Sequence, residues 1–373
     1  MNKRAQGSNK KIRYAVVGLG NIAQMAVLPA FEHASENSEL VALVSSDAEK
    51  LRVLAERYHV SITGSYDDLD RLLRDGEIDA IYVATPNTLH RSALERAARA
   101  GVHVLCEKPL AATVADCRAM LHAAADANIK LMTAYRLHFE QTNLRAIERV
   151  RAGEIGEPRI FSSVFCQQVR EGDIRTRAEF GGGALFDMGI YCVNAARYLF
   201  QAEPFEVSAL GVRGNDPRFT EVDEMTSAIL RFPGDRVAQF IASQGAADVS
   251  EFRIVGTKGD IRLDPAYSYH GEIREFFTVD GKTEEVTTPL HDQFAPELVH
   301  FSQCILENSD PEPAGEEGLA DVRVLEAIVE SAAIGRRVTL SPFERSQRPS
   351  GELEMRKPPA RKVDPVNAPS PSK

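Results

Sequence analysis

The sequence predicts an α/β protein in two parts: a doubly wound parallel sheet, then an α+β domain built on a largely antiparallel open sheet. Three observations carry that prediction. Short β-branched runs alternate with helix-length segments from residue 11 to residue 134. The first run ends in Gly18-Leu19-Gly20-Asn21-Ile22-Ala23, a glycine turn between strand and helix. Beyond residue 200, strand-like runs follow one another with no helix between them, the pattern of antiparallel pairing. At 373 residues the chain is long for one domain, in keeping with the split.

In chain order, the strands of the first half are expected at 12–17, 40–44, 80–85, 102–106 and 131–133. Their near-continuous apolar character suits a sheet covered on both faces. The stretches between them, 22–33, 48–58, 66–73, 89–100 and 114–127, carry helix-compatible spacing. A helix at 143–151 opens the second half, followed by a strand at 159–169, a glycine triplet and a helix to Phe200. Strands are then expected at 206–212, 225–232, 237–243, 251–255, 261–263 and 275–278. Helices at 297–307 and 319–334 and a short strand at 338–340 close the second domain, 135–343. Residues 1–10, polar and basic, and 344–373, with repeated Pro, Ser and Lys, are expected to be disordered.

Bulk properties exclude several function classes. A net charge of −10 disfavours nucleic acid as a partner. No run of about 18 apolar residues exists, which argues against a membrane span. The first eleven residues lack the apolar core of a secretory signal, so a cytoplasmic location is expected. Cys106, Cys117, Cys166, Cys192 and Cys304 are scattered without metal-ligand spacing and read as reduced structural thiols, with no metal site.

The glycine turn has the context of a Rossmann dinucleotide site. Gly18 permits the turn, Gly20 lets the backbone approach a pyrophosphate, and Ala23 permits close helix–strand packing. The helix start at Asn21 and Ile22 offers free N–H groups to phosphate. At the end of the second strand an acidic residue would bind a free ribose 2′-hydroxyl and repel a 2′-phosphate. Here the chain reads Ser45-Ser46-Asp47, with Lys50 one helical turn on. Two hydroxyls and an ammonium favour NADP, with NAD as the alternative. Asp47 reads either as the cap of the following helix or as a ribose ligand. Lys50 also reads as an ordinary solvated charge.

Hydride transfer to a carbonyl leaves an oxygen that must gain a proton, and the reverse reaction needs a base. Lys108, in Glu107-Lys108-Pro109 at a strand end, can polarise a substrate oxygen or set positive charge beside a phenol. Asp187 and Tyr191 follow the triplet Gly181-Gly182-Gly183 and, four residues apart, share a helix face. Taken singly, Asp187 reads as a helix cap and Tyr191 as a packing residue. With Lys108 they form a catalytic set. The isomer of the Lys108–Pro109 bond is open at this stage. Arg136 and His138 read as lining a polyol pocket or as structural, and Arg175 and Arg177 as covering the site or as solvated charges.

Four motifs in this order resemble the Gfo/Idh/MocA oxidoreductase family: residues 18–23, Ala84-Thr85-Pro86-Asn87 with His90, Glu107-Lys108-Pro109, and Gly182-Gly183 leading to Asp187 and Tyr191. The likeness spans residues 11–340 and is greatest to the glucose–fructose oxidoreductase subgroup, with Tyr191 where many relatives carry His. It implies Lys108, Asp187 and Tyr191 as catalytic, Tyr191 giving or taking the proton. It also implies Ser45 and Lys50 at the 2′-phosphate of NADP, with Ser46 beside them as a cofactor contact, and Glu107 near the nicotinamide ribose. Thr85, Pro86, Asn87, His90 and Arg136 join them as cofactor contacts, although His90 also reads as part of a helix start. The implied substrate is a pyranose-type sugar or polyol, and the implied assembly a homodimer or homotetramer through the C-terminal sheet. A sensor of the same fold that binds NAD(P) without turnover, or an enzyme for a non-sugar cyclic diol, are the alternatives.

Overall fold

A computed structural model describes residues 10–345 and 347–372; the disorder expected for residues 1–9 falls outside them. Six strands form a wholly parallel sheet: β1 Ile12–Val17, β2 Ser38–Val44, β3 Ile62–Gly64, β4 Ala80–Val83, β5 His103–Glu107 and β6 Leu131–Ala134. Their order is β3-β2-β1-β4-β5-β6. Helices α1 Leu28–Ala30, α2 Ala48–Tyr58, α3 Leu69–Asp75, α4 His90–Arg99 and α5 Val114–Asp126 alternate with them. Strand β3 escaped the expected set because three residues at a sheet edge carry no periodicity. The helix expected over 22–33 is instead a widened turn, Ala23–Val27, running into α1; the Leu28 N–H reaches back to Ala23 O.

Strand order reverses between β1 and β4, which opens a crevice beyond their carboxyl ends. Gly18 sits in that crevice with φ +97°, and a Cβ there would lie 2.6 Å from Ala84 O, just past β4. In front of Gly20, by contrast, a Cβ would meet nothing within 4 Å. The turn is therefore tight on its inner side and open on its outer side.

The second sheet has nine strands: β7 Pro158–Cys166, β8 Glu206–Val212, β9 Met225–Phe232, β10 Arg236–Ser243, β11 Val249–Gly256, β12 Gly259–Leu263, β13 Ile273–Val279, β14 Lys282–Thr288 and β15 Val338–Thr339. They run in the order β14-β13-β12-β11-β7-β10-β9-β8-β15, parallel only between β7 and β10. Strand β14 was not expected, because its Lys282-Thr283-Glu284-Glu285 run is polar, as suits an exposed edge. Helices α6 Gln141–Arg151, α7 Ile190–Phe200 and α9 Gly315–Ile334 share a core with one face of this sheet. The other face leaves Ile160, Ile229 and Ile241 exposed.

Two late helices return to the first sheet. On α8, Ala295–Glu307, Leu298 and Phe301 join the core under β1 and β2, and Ser302 Oγ lies 2.8 Å from Tyr14 Oη. Leu319 and Val322 of α9 pack with α4, α5 and β5. The sequence boundary near residue 135 thus separates the sheets but not their supporting helices.

The described residues of the tail, 344–345 and 347–372, depart from the disorder expected of them. Arg345 pairs with Glu312 (2.9 Å) and Glu317 (3.0 Å), and Arg348 with Glu203 (2.8 Å). Glu203 and Glu317 also hold the fully buried Arg197 of α7, with Asp321 as a third partner. The tail supplies cations to a carboxylate cluster already buried in the fold, a role that composition does not reveal.

Gly18→Ala should cost roughly 1–3 kcal/mol from the left-handed backbone alone, with the contact to Ala84 added. Urea unfolding would show this as a lowered midpoint; an unchanged midpoint would mean that the turn relaxes.

Candidate active site

One cavity of about 1220 Å³ runs from the glycine turn between the two sheets. Gly18, Gly20, Asn21 and Ile22 line one part of it, and Glu107, Lys108, Asp187 and Tyr191 another. The wall is built from both halves of the chain.

Lys108 follows β5 directly, and its bond to Pro109 is cis. Its Nζ donates to the backbone carbonyl of Asp187 at 2.9 Å and lies 3.5 Å from the Asp187 carboxylate and 4.6 Å from the centre of the Tyr191 ring. Asp187 does not cap a helix. It sits inside a second widened turn, Leu185–Gly189, whose carbonyl of Leu185 is reached by the Ile190 N–H before α7 begins. Such turns interrupt the regular ladder and recur at functional sites. The Asp187 carboxylate accepts from Arg175 Nε (2.8 Å) and Gln244 Nε2 (3.4 Å). Burial alone would push that carboxyl up, but Arg175 and Lys108 outweigh it and hold Asp187 below its ordinary range.

Tyr191 stands between Phe165 and Tyr267, with ring centres 5.5 and 5.7 Å away. Arg136 Nη2 donates to its Oη at 3.3 Å, and Arg136 is itself held by Gln293 and the Tyr267 carbonyl. A guanidinium only donates, so the phenolic proton is left available to the cavity. Two cations, Lys108 over the ring and Arg136 at the oxygen, therefore flank the group. Of these, Arg136 was expected as a cofactor or polyol contact, and Gln244 and Gln293, which hold Asp187 and Arg136, were not singled out at all. Their positions follow from the second sheet and α8, not from any motif.

The expected cofactor residues divide by location. Ser46, Lys50, Thr85, Pro86, Asn87 and Arg136 line the cavity with the glycine turn. Ser45 does not: it is buried, and its Oγ accepts from the Asp47 N–H at 3.2 Å. His90 is also off the wall, fully buried, with ring nitrogens 3.0 Å from Pro109 O and 2.9 Å from Thr85 O. It braces the two loops that carry Thr85 and Lys108. His138 is buried beside Asn194 (2.9 Å) and lies away from the cavity wall. Asp47 caps α2, its Oδ1 accepting from the Glu49 and Lys50 N–H groups at 3.0 Å each. Of the two readings at Asp47, the helix cap is the one present, through Oδ1.

These residues fit a phosphate-bearing dinucleotide. Open space faces Gly20 at the start of a helical run, and Ser46 and Lys50 supply a hydroxyl and an ammonium. Among the described residues no group of three His, Cys, Asp or Glu side chains is placed to hold a metal ion.

Residues 12–135 match the model of the Gfo/Idh/MocA oxidoreductase family, NAD-binding Rossmann fold, and residues 143–262 match the family's C-terminal domain. The chain belongs to the Gfo/Idh/MocA oxidoreductases. It is similar to the crystal structure of aldose–aldose oxidoreductase from Caulobacter crescentus, with 40% identity and a TM-score of 0.85 over 89% of this chain and 100% of that one. A 3-ketoreductase from Actinomadura kijaniata, solved with NADP and TDP-benzene, shows 27% identity and a TM-score of 0.79 over 86% of this chain and 98% of that one. Among curated sequences, the NADP-dependent D-xylose 1-dehydrogenase of Haloarcula marismortui is 31% identical over 341 residues, 89% of this chain and 94% of its own.

Behind the Lys108 side of this Gfo/Idh/MocA site lies a pair of acidic groups. Tyr82 Oη donates to Glu107 Oε1 at 2.9 Å, and burial pushes the Glu107 carboxyl up. Glu297 of α8 is wholly buried with neither carboxylate oxygen hydrogen-bonded, and burial followed by the charge of Glu107 raises it well above its usual range. Between its unfolded and folded pKa the folded chain keeps a proton that the unfolded chain has released, so stability falls as pH rises through that window. Glu297→Gln should remove this slope and gain on the wild type as pH rises above the ordinary carboxylate range, by up to roughly 1.4 kcal/mol per pH step. Parallel stability profiles for the two proteins would show that Glu297 is ionised in the fold.

Proposed function

We propose that the protein moves a hydride between NADP and a hydroxyl-bearing carbon of a sugar or polyol. One observation carries the reading: Lys108, Arg136, Asp187 and Tyr191 meet on the wall of the same cavity that holds the glycine turn. The sugar substrates in the names of the aldose–aldose oxidoreductase and the D-xylose dehydrogenase support it. The commitment of Asp47 to its helix, with Ser46 and Lys50 on the cavity wall, supports NADP over NAD.

When bound, the nicotinamide accepts or returns the hydride. The chain's residues manage the oxygen and its proton. As an alcohol carbon is oxidised, its hydroxyl proton passes to Tyr191; in reduction Tyr191 gives it back. Lys108 and Arg136 set positive charge around the oxygen that changes protonation. Asp187, kept ionised by Arg175 and Lys108, fixes the Lys108 ammonium from its carbonyl and carboxylate together. The exposed apolar face around Ile160, Ile229 and Ile241 supports assembly of copies through the nine-stranded sheet. No described helix is long and apolar enough to cross a membrane, and the buried, unpaired cysteines suit the reducing cytoplasm.

A nicotinamide absorbance screen of monosaccharides, polyols and sugar lactones with both cofactors tests the reading. Tight NADPH binding with no turnover on any of them would favour a sensor instead. Tyr191→Phe should lower turnover at least ~100-fold with cofactor affinity little changed; wild-type rates in that variant would remove Tyr191 from the chemistry. Lys50→Ala should weaken NADPH more than NADH in fluorescence titrations. Equal losses would leave Lys50 outside the 2′-phosphate site.

A further inference from the structure

The C-terminal segment runs along the lip of the cofactor cavity and joins the two halves of the molecule. Lys357 Nζ pairs with Glu36 (2.6 Å), and Arg57 Nη1 donates to Asp364 O (2.9 Å). Gln24, in the widened turn after the glycine loop, exchanges two hydrogen bonds with the Val366 backbone, at 2.9 and 2.7 Å. Asn21, in the loop itself, donates to Ala368 O at 3.0 Å, and Asn367 Nδ2 donates to Asp47 Oδ2 at 3.1 Å.

The segment then leaves the first domain. Arg170, just beyond β7, donates from its N–H to Pro371 O and from Nε to Ser372 O, both at 2.8 Å. Val169 and Ser372 form an antiparallel bridge, and Pro371 and Ser372 line the cavity. Six residue steps from Val366 to Ser372 reach at most ~20 Å, which suffices to straddle the cleft.

We infer that residues 363–372 are the outer wall of the NADP site, a strap that holds the cofactor in and must undock for it to exchange. Asn367 adds a selective element. Asp47 Oδ1 accepts from the α2 N–H groups and Oδ2 from Asn367, so the Asn367 amide competes with a ribose hydroxyl for the Asp47 carboxylate. Undocking is a local event, because only Ala368 of this segment is buried, Val366 packs half-buried against the first core, and the remaining ties are hydrogen bonds.

Two variants test the strap in binding experiments that need no sugar, so the outcome is independent of the proposed substrate. One ends the chain at Lys362, leaving the Arg345 and Arg348 anchors in place. The other, V169C/S372C, places cysteines across the bridge, where paired residues lie within disulfide reach. Dissociation of NADPH is followed by the loss of its fluorescence when it is chased with excess NADP. The shortened chain should release NADPH roughly tenfold faster and lose part of its preference for NADPH over NADH; the oxidised double variant should release it roughly tenfold slower, with the rate restored by reductant. Release within about twofold of wild type in the oxidised, cross-linked protein overturns the inference, whether or not the shortened chain folds.

Discussion

The contact between Lys108 Nζ and the carbonyl of Asp187 registers one half of this molecule against the other. The ammonium hangs from the end of β5 in the parallel sheet; the carbonyl belongs to a helical turn that packs on the open sheet. A charged donor to a neutral acceptor contributes about 1.5–3 kcal/mol in a partly dry site. That is enough to fix the angle of a long, flexible side chain. Arg175 and Gln244 hold the neighbouring carboxylate from the far side, so the ammonium meets a preset partner. The glycine loop, the Tyr191 phenol and Arg136 take their mutual positions from that alignment.

Buried charge is handled in two ways. Around Arg197 it is compensated: Glu203, Glu317 and Asp321 surround the guanidinium, and Arg345 and Arg348 balance the excess. Within the cluster Glu317 is held ionised by Arg197, while burial and the charge of Glu317 push Asp321 up to about 6. Removing one partner from such a cluster is costly because the others stay buried and unpaired. Around Glu297 burial, then the charge of Glu107, raises the carboxyl well above its usual range and favours its neutral form. The first arrangement welds α7, α9 and the tail together.

Much of this was legible in the sequence, and the reason is physical. Strands buried on both faces are near-continuously apolar, so β1, β2, β4, β5 and β6 announced themselves. The glycine at 18 is dictated by backbone geometry, and Lys108, Asp187 and Tyr191 lie in motifs whose spacing survives in the fold. What stayed hidden depended on partners distant in the chain. Ser45 looks like a phosphate ligand until its buried hydroxyl is seen holding the Asp47 amide. His90 looks like a site residue until its ring is found between two loops. The tail reads as disordered because Pro, Ser and Lys form no core of their own. Its ties come from Glu203, Glu312 and Glu317, carboxylates that precede it by many residues.

The widened turn at Leu185–Gly189 has a consequence of its own. Each residue in a regular helix advances the side-chain direction by about 100°. One additional residue accommodated in a turn therefore rotates every later position around the axis, and α7 begins only after that rotation has been made. The phase of Tyr191 relative to the buried stripe of α7 is thus set by a local irregularity upstream of it. A one-residue deletion between Leu185 and Gly189 could restore an ordinary ladder, keep the helix, and aim the phenol at the wrong neighbour.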